Sequence, residues 1–94
     1  MIEIKQSGAN LIEISGRLDA SQVEKAQECL AQMNESCTVD FTGLDYISSA
    51  GLGILLATLK RLDESGHSLK LTGMNKLVRD VFKYSRLDTV FNIE

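Results

Sequence analysis

The chain switches between two hydrophobic periods. Ile2 and Ile4, then Leu11, Ile12 and Ile14, sit among polar residues as half-buried strands do, and the cluster Ser7-Gly8-Ala9-Asn10 separates them as a turn. A hairpin is therefore expected at the start. Gly16-Arg17-Leu18-Asp19-Ala20-Ser21 leads into a first helix, which Asp19 or Ser21 can cap, with Val23, Ala26, Leu30 and Met33 at helical spacing. Cys37-Thr38-Val39-Asp40-Phe41 reads as a short strand, and a loop follows it.

The second helix has the clearest pattern. Leu52, Leu55, Leu56, Leu59 and Leu62 form one apolar face, and Ser65-Gly66-His67 ends it. Leu69-Lys70-Leu71-Thr72 is a further strand, and a third helix capped by Asn75 is expected to bury Leu77, Val78, Val81 and Phe82. Val90-Phe91-Asn92-Ile93 closes the chain as a short strand or irregular tail. Strand–helix–strand units imply parallel neighbours with right-handed crossovers. The expected fold is thus α/β, a mixed β-sheet with an N-terminal hairpin, packed by about three amphipathic helices in a single domain over residues 1–94.

Composition narrows the function. The hydrophobic fraction of 44% and charged fraction of 24% belong to an ordinary globular protein, and a net charge of −3 argues against nucleic acid as the main partner. Met1-Ile2-Glu3-Ile4-Lys5 lacks the succession of a signal peptide, and the apolar run from Leu52 to Leu59 is too short to span a bilayer. A cytoplasmic chain without membrane insertion is expected. Cys29 and Cys37 make neither a disulfide framework nor a metal-ligand pattern, and read as small buried apolar residues.

Candidate chemistry gathers in Tyr46-Ile47-Ser48-Ser49-Ala50-Gly51-Leu52-Gly53. Gly51 and Gly53 lie in the first turns of a helix, where each costs about 1 kcal/mol relative to alanine. Close approach of another backbone or of a ligand is the usual compensation. A helix start also offers unpaired N–H groups and the positive end of the macrodipole. A serine there caps the unmodified helix. Phosphorylated, it gains roughly 1.5 to 2 negative charges where the helix tolerates them, and the surface shown to a partner changes sign.

Asp40-Phe41-Thr42 before Ile47-Ser48-Ser49-Ala50-Gly51-Leu52-Gly53, with Gly16-Arg17-Leu18-Asp19 upstream, resembles the STAS domain family, over nearly the whole chain. The likeness is to its stand-alone anti-sigma factor antagonists. It implies that Ser49, or as second choice Ser48, is phosphorylated by a partner that is both serine kinase and anti-sigma factor, of histidine-kinase-like ATPase fold. It further implies that the unphosphorylated form binds that partner and that a metal-dependent serine phosphatase resets the cycle. Asp19 matches the family's aspartate near the acceptor, and Gly51 the glycine of the helix start. Asp19, Ser48, Ser49, Ala50, Gly51, Leu52 and Gly53 are the expected docking surface. Many such antagonists carry an aspartate where this chain has Ser48, which leaves a second implied role, a constitutive STAS subunit of a lipid-transporting ABC complex that is never phosphorylated.

Catalysis, metal and cofactors are not expected. There is no G-x-S-x-G elbow, and the lone histidine, His67, lies past the far end of the helix that Ser49 begins. About sixteen helical residues separate them by roughly 24 Å, whereas general-base contact needs about 3 Å. Asp40 and Asp45 read as partners for loop N–H groups, with no third ligand at useful spacing. No phosphate-binding lysine motif is present, so ATP would belong to the partner. Lys76, Arg79, Lys83 and Arg86 share one sector of the third helix, a solvated face or a docking surface for an acidic partner.

Overall fold

The chain starts as an antiparallel hairpin, β1 (Ile2–Gly8) and β2 (Leu11–Leu18), in a computed structural model that describes residues 2–94. A 3-10 turn (Ala20–Gln22) and α1 (Val23–Ala31) lead to β3 (Cys37–Asp40), β4 (Leu44–Ile47) and α2 (Ser49–Glu64). Then come β5 (Leu69–Thr72), α3 (Lys76–Tyr84) and the two-residue β6 (Asn92–Ile93). The strands run β1-β2-β3-β5-β6, and every pair but the first is parallel. The mixed sheet expected from the sequence is the observed one.

β4 is an addition to the expected elements. Its residues were expected in a loop after the third strand, but they pair with β2 in parallel, Arg17 opposite Tyr46 and Leu18 opposite Ile47. β2 thus serves two partners along one edge: β3 against Leu11–Glu13 and β4 against Gly16–Leu18. The chain kinks between them at Phe41-Thr42-Gly43. Gly43 permits this, because a Cβ there would lie 2.8 Å from the Ser15 Cβ.

Alternate residues on β2, β3 and β5, and the two end residues of β4, enter one core. Ile12, Ile14, Leu18, Val39, Phe41, Leu44, Ile47, Leu69 and Leu71 meet Ala26 and Leu30 of α1, Leu52, Leu55 and Leu62 of α2, and Val78 and Phe82 of α3. The intervening residues, among them Glu13, Ser15, Thr38, Asp40 and Lys70, are only partly covered. Helices therefore occupy one face of the sheet and leave the other polar face open. Arg61 ties α2 to the end of α1 by donating to the Leu30 carbonyl at 3.0 Å. Phe82 meets Phe91 edge to face, with ring centroids 5.5 Å apart.

The third helix departs from expectation at one position. Leu77 was placed with Val78, Val81 and Phe82 on the buried face, yet its side chain is 70% exposed. Leu77 is rotated about 100° from Val78 on the helix, and only Val78 and Phe82 point straight at the sheet. Among the described residues no helix is long and apolar enough to cross a membrane. Phe82→Ala should cost about 3–5 kcal/mol, a large part of a domain's stability, while Leu77→Ala should change it by about 0.5 kcal/mol or less. Urea denaturation of the two variants checks this.

Candidate functional site: a capped helix start at the carboxyl edge of the sheet

Because β2, β4 and β5 are parallel, their carboxyl ends share one edge of the sheet, and each is followed by a helical segment with its own side-chain cap. Asp19 follows β2 and accepts from the Ser21 N–H at 3.0 Å and the Ser21 hydroxyl at 2.5 Å. Ser48 follows β4 and accepts from the Gly51 N–H at 3.2 Å. Asn75 follows β5, accepts from the Val78 N–H at 2.9 Å, and donates through Nδ2 to the Leu44 carbonyl at 3.1 Å. Each cap supplies an acceptor to an N–H that has no partner inside its helix.

The Asp19 and Ser48 segments are held side by side. The Ser48 N–H donates to the Leu18 carbonyl at 2.9 Å, so the two chains separate only after that bond. Asp19 caps the short turn ahead of α1 rather than α1 itself, whose N-cap residue, Gln22, makes no side-chain capping bond. The Ser21 hydroxyl holds the Asp19 carboxyl below the usual aspartate range, helped by the Ser21 N–H and by Arg17, against some desolvation. Asp19 is therefore a fixed anion beside the start of α2.

The two serines divide the work. Ser48 has extended backbone, is half-buried and caps the helix. Ser49 is the first residue of α2 and is exposed. Its hydroxyl stands where N–H groups of the first turn are unpaired. Ala50, Gly51, Leu52 and Gly53 continue the first turns, and the structure separates their roles. Gly51 and Leu52 are buried. A Cβ on Gly51 would come within 2.9 Å of both the Ile47 Cγ1 and the Leu18 Cγ, and within 3.1 Å of the Leu18 carbonyl oxygen. That close approach is internal and accounts for the glycine. Gly53 is different: nothing lies within 4 Å of a Cβ built there. It sits with exposed Ser49, Ala57 and Lys60 on one face of α2, beside half-buried Ala50 and Leu56.

Of the seven expected surface residues, Gly51 and Leu52 thus serve the fold, Ser48 is chiefly a cap, and Asp19, Ser49, Ala50 and Gly53 remain accessible in whole or part. Leu18 is the residue that sequence reasoning missed. A glycine in a helix start demanded a close neighbour but could not name it.

The other candidates are structural. Asp40 accepts from the Thr42 N–H at 2.9 Å and from the Thr42 hydroxyl at 2.5 Å, which fixes the kink before β4. Asp45 is the exception: it lies exposed on β4, without the loop N–H partner expected of it among the described residues. His67 follows α2, and its N–H donates to the Leu62 carbonyl at 2.8 Å while the Gly66 N–H donates to Asp63, a helix end that needs the positive φ of Gly66. Cys37 is buried and Cys29 half-buried, and desolvation pushes both thiols up. Among the described residues no group of three His, Cys, Asp or Glu side chains is placed to hold a metal ion.

The chain belongs to the STAS domain family: the family profile described as "Mlab, STAS domain" matches residues 3–93. Among its relatives is a Staphylococcus epidermidis protein named anti-sigma-B factor antagonist, 26% identical over 86 residues, a stretch covering 87% of this chain and 80% of that one. The fold is also that of an anti-sigma factor antagonist from Mycobacterium paratuberculosis, with a TM-score of 0.83 at 16% identity over 99% of this chain and 83% of the other. The Bacillus cell fate determinant SpoIIAA in its phosphorylated form superimposes with a TM-score of 0.67 at 18% identity, over 100% of this chain and 91% of its own.

The two glycines should respond oppositely to the same change. Gly51→Ala should destabilise the fold by about 1–3 kcal/mol, because overpacking against Leu18 and Ile47 outweighs helix propensity. Gly53→Ala should stabilise it by up to about 1 kcal/mol, since only propensity changes. Parallel urea titrations give both signs.

Proposed function

We propose that this chain is an anti-sigma factor antagonist, a cytoplasmic binding module rather than an enzyme, switched by phosphorylation of Ser49. Unphosphorylated, it binds a serine kinase/anti-sigma factor; phosphorylated, it is released, and a metal-dependent serine phosphatase returns it to the binding state. The names of the relatives support the first part. The exposure of Ser49 at the first position of α2, with Ser48 already holding the cap, carries the second.

The energetics favour a switch over a collapse. A phosphate on Ser49 would meet the positive end of α2, an interaction worth about 0.3–1 kcal/mol, so the free domain tolerates it. At the centre of a docked interface the same group brings roughly 1.5 to 2 negative charges into a desolvated site, at a cost of several kcal/mol. The second term is larger, and docking is lost. Asp19 adds a fixed negative charge nearby and sharpens the difference between the two states. The small residues on the exposed face of α2, Ser49, Gly53 and Ala57, would let a partner backbone approach closely.

A second reading is a constitutive STAS subunit of a lipid-transporting ABC complex, unphosphorylated, with the same helix start as a fixed docking surface. Two observations favour it. Ser48 is a neutral cap where many antagonists carry a carboxylate, and the matching profile bears the description Mlab.

Incubation with the cognate kinase and ATP should add one phosphate at Ser49, located by mass spectrometry, and Ser49→Asp should weaken kinase binding about tenfold or more. Absence of phosphate from both serines, with wild-type affinity in Ser49→Asp, would leave the second reading standing.

A further inference from the structure

We propose that the chain pairs with a second copy of itself along the outer edge of β1, continuing the sheet across a two-fold axis. The strand order has two ends, and they differ: β6 has two residues and β1 has seven. Among the described residues β1 pairs with β2 alone, so one side of its backbone presents N–H and carbonyl groups to another strand. Proline does not blunt this edge, since the chain has none. Nor does a bulge interrupt Ile2–Gln6, because the register shift falls between Gln6 and Gly8. Ile4 packs against the core opposite Ile14 but is only half-buried, so the core is incompletely covered along this strand.

Charge selects both the occupant and the register. Residues facing each other across an antiparallel pair project on the same side of the sheet, so a two-fold axis must pass through one residue position. With the axis at Ile4, Glu3 of each copy faces Lys5 of the other, Ile4 faces Ile4, and Ile2 faces Gln6. An axis at Glu3 or at Lys5 would set like charges against each other. An axis at Gln6 would form no ion pair and would draw in the irregularity at Gly8. The strand is therefore complementary to itself in one register. Glu3 and Lys5 are exposed, and neither forms an ion pair among the described residues. Glu13, which faces Lys5 from β2, already accepts from the Ser7 hydroxyl at 2.5 Å. The seam gives Lys5 a second carboxylate, Glu3 of the other copy, and brings the two half-buried Ile4 side chains together.

Sedimentation equilibrium of the full chain should show a monomer–dimer association that weakens as salt rises. Lys5→Glu and Glu3→Lys each line the seam with like charges and should weaken association about tenfold or more. Reversing both signs restores complementarity, so the double variant Glu3→Lys/Lys5→Glu should associate as the unsubstituted chain does. For the same reason an equal mixture of the two single variants should form heterodimers. Circular dichroism and urea midpoints of each variant separate lost association from lost folding. A chain that stays monomeric at every concentration would overturn the proposal, as would single variants that associate undiminished. So would a mixture no more associated than its components. Uptake of an extended peptide along β1 by a chain that does not self-associate would assign the edge to another protein's strand and equally overturn it.

Discussion

The first turn of α2 lies directly on the end of β2, and most of what surrounds the two serines follows from that contact. The Ser48 N–H donates to the Leu18 carbonyl, and three positions later Gly51 passes so close to Leu18 that no Cβ fits. With both points fixed, the rotation of the helix is fixed. Leu52, Leu55 and Leu62 are committed to the core, and Ser49, Gly53 and Ala57 to solvent. The position of Ser49 is therefore a consequence of backbone packing rather than of its own interactions. An exposed side chain positioned in this way can be modified without disturbing what positions it.

The same contact brings Asp19 alongside. Since Leu18 is the last residue of β2, anything that holds Ser48 to Leu18 also holds the following residue near the start of α2. A carboxylate kept ionised by its Ser21 hydrogen bonds thus borders a helix end whose dipole is positive. The parallel arrangement of β2, β4 and β5 makes this geometry possible, because parallel strands deliver their carboxyl ends, and the helices that follow, to one edge of the sheet. Ligand and partner sites of α/β folds gather at that edge for the same reason.

Local patterning carried most of the fold. Alternation in Leu11–Ile14, the leucine face of α2 and the Asn75 cap all describe interactions within one segment, and each is observed. The miss at β4 has a physical cause. Only its end residues, Leu44 and Ile47, are buried, a spacing of three that breaks the alternation of a strand over a segment too short to read as a helix, and its existence depends on pairing with a strand about thirty residues earlier. Leu77 was misplaced because apolar character alone does not say where around a helix the sheet lies. The site divided in the same way. A serine pair before a helix announces a cap, but which serine caps and which faces solvent depends on where Leu18 ends, and that is tertiary information.

Ser49 lies outside the framework that orders it, and this is the claim most open to contradiction. The most direct measurement is the amide NMR spectrum of the chain bearing phosphoserine at position 49, made by semisynthesis, set against the unmodified chain. Shifts limited to Ser48–Gly53 and the adjoining Asp19–Ser21 turn, with the core amides of β2, β3 and β5 unmoved, are the predicted result. Displacement of the Leu18, Leu55 and Leu71 amides, or loss of the Gly51 amide's protection from exchange, would show that the hydroxyl belongs to the framework and would contradict the account.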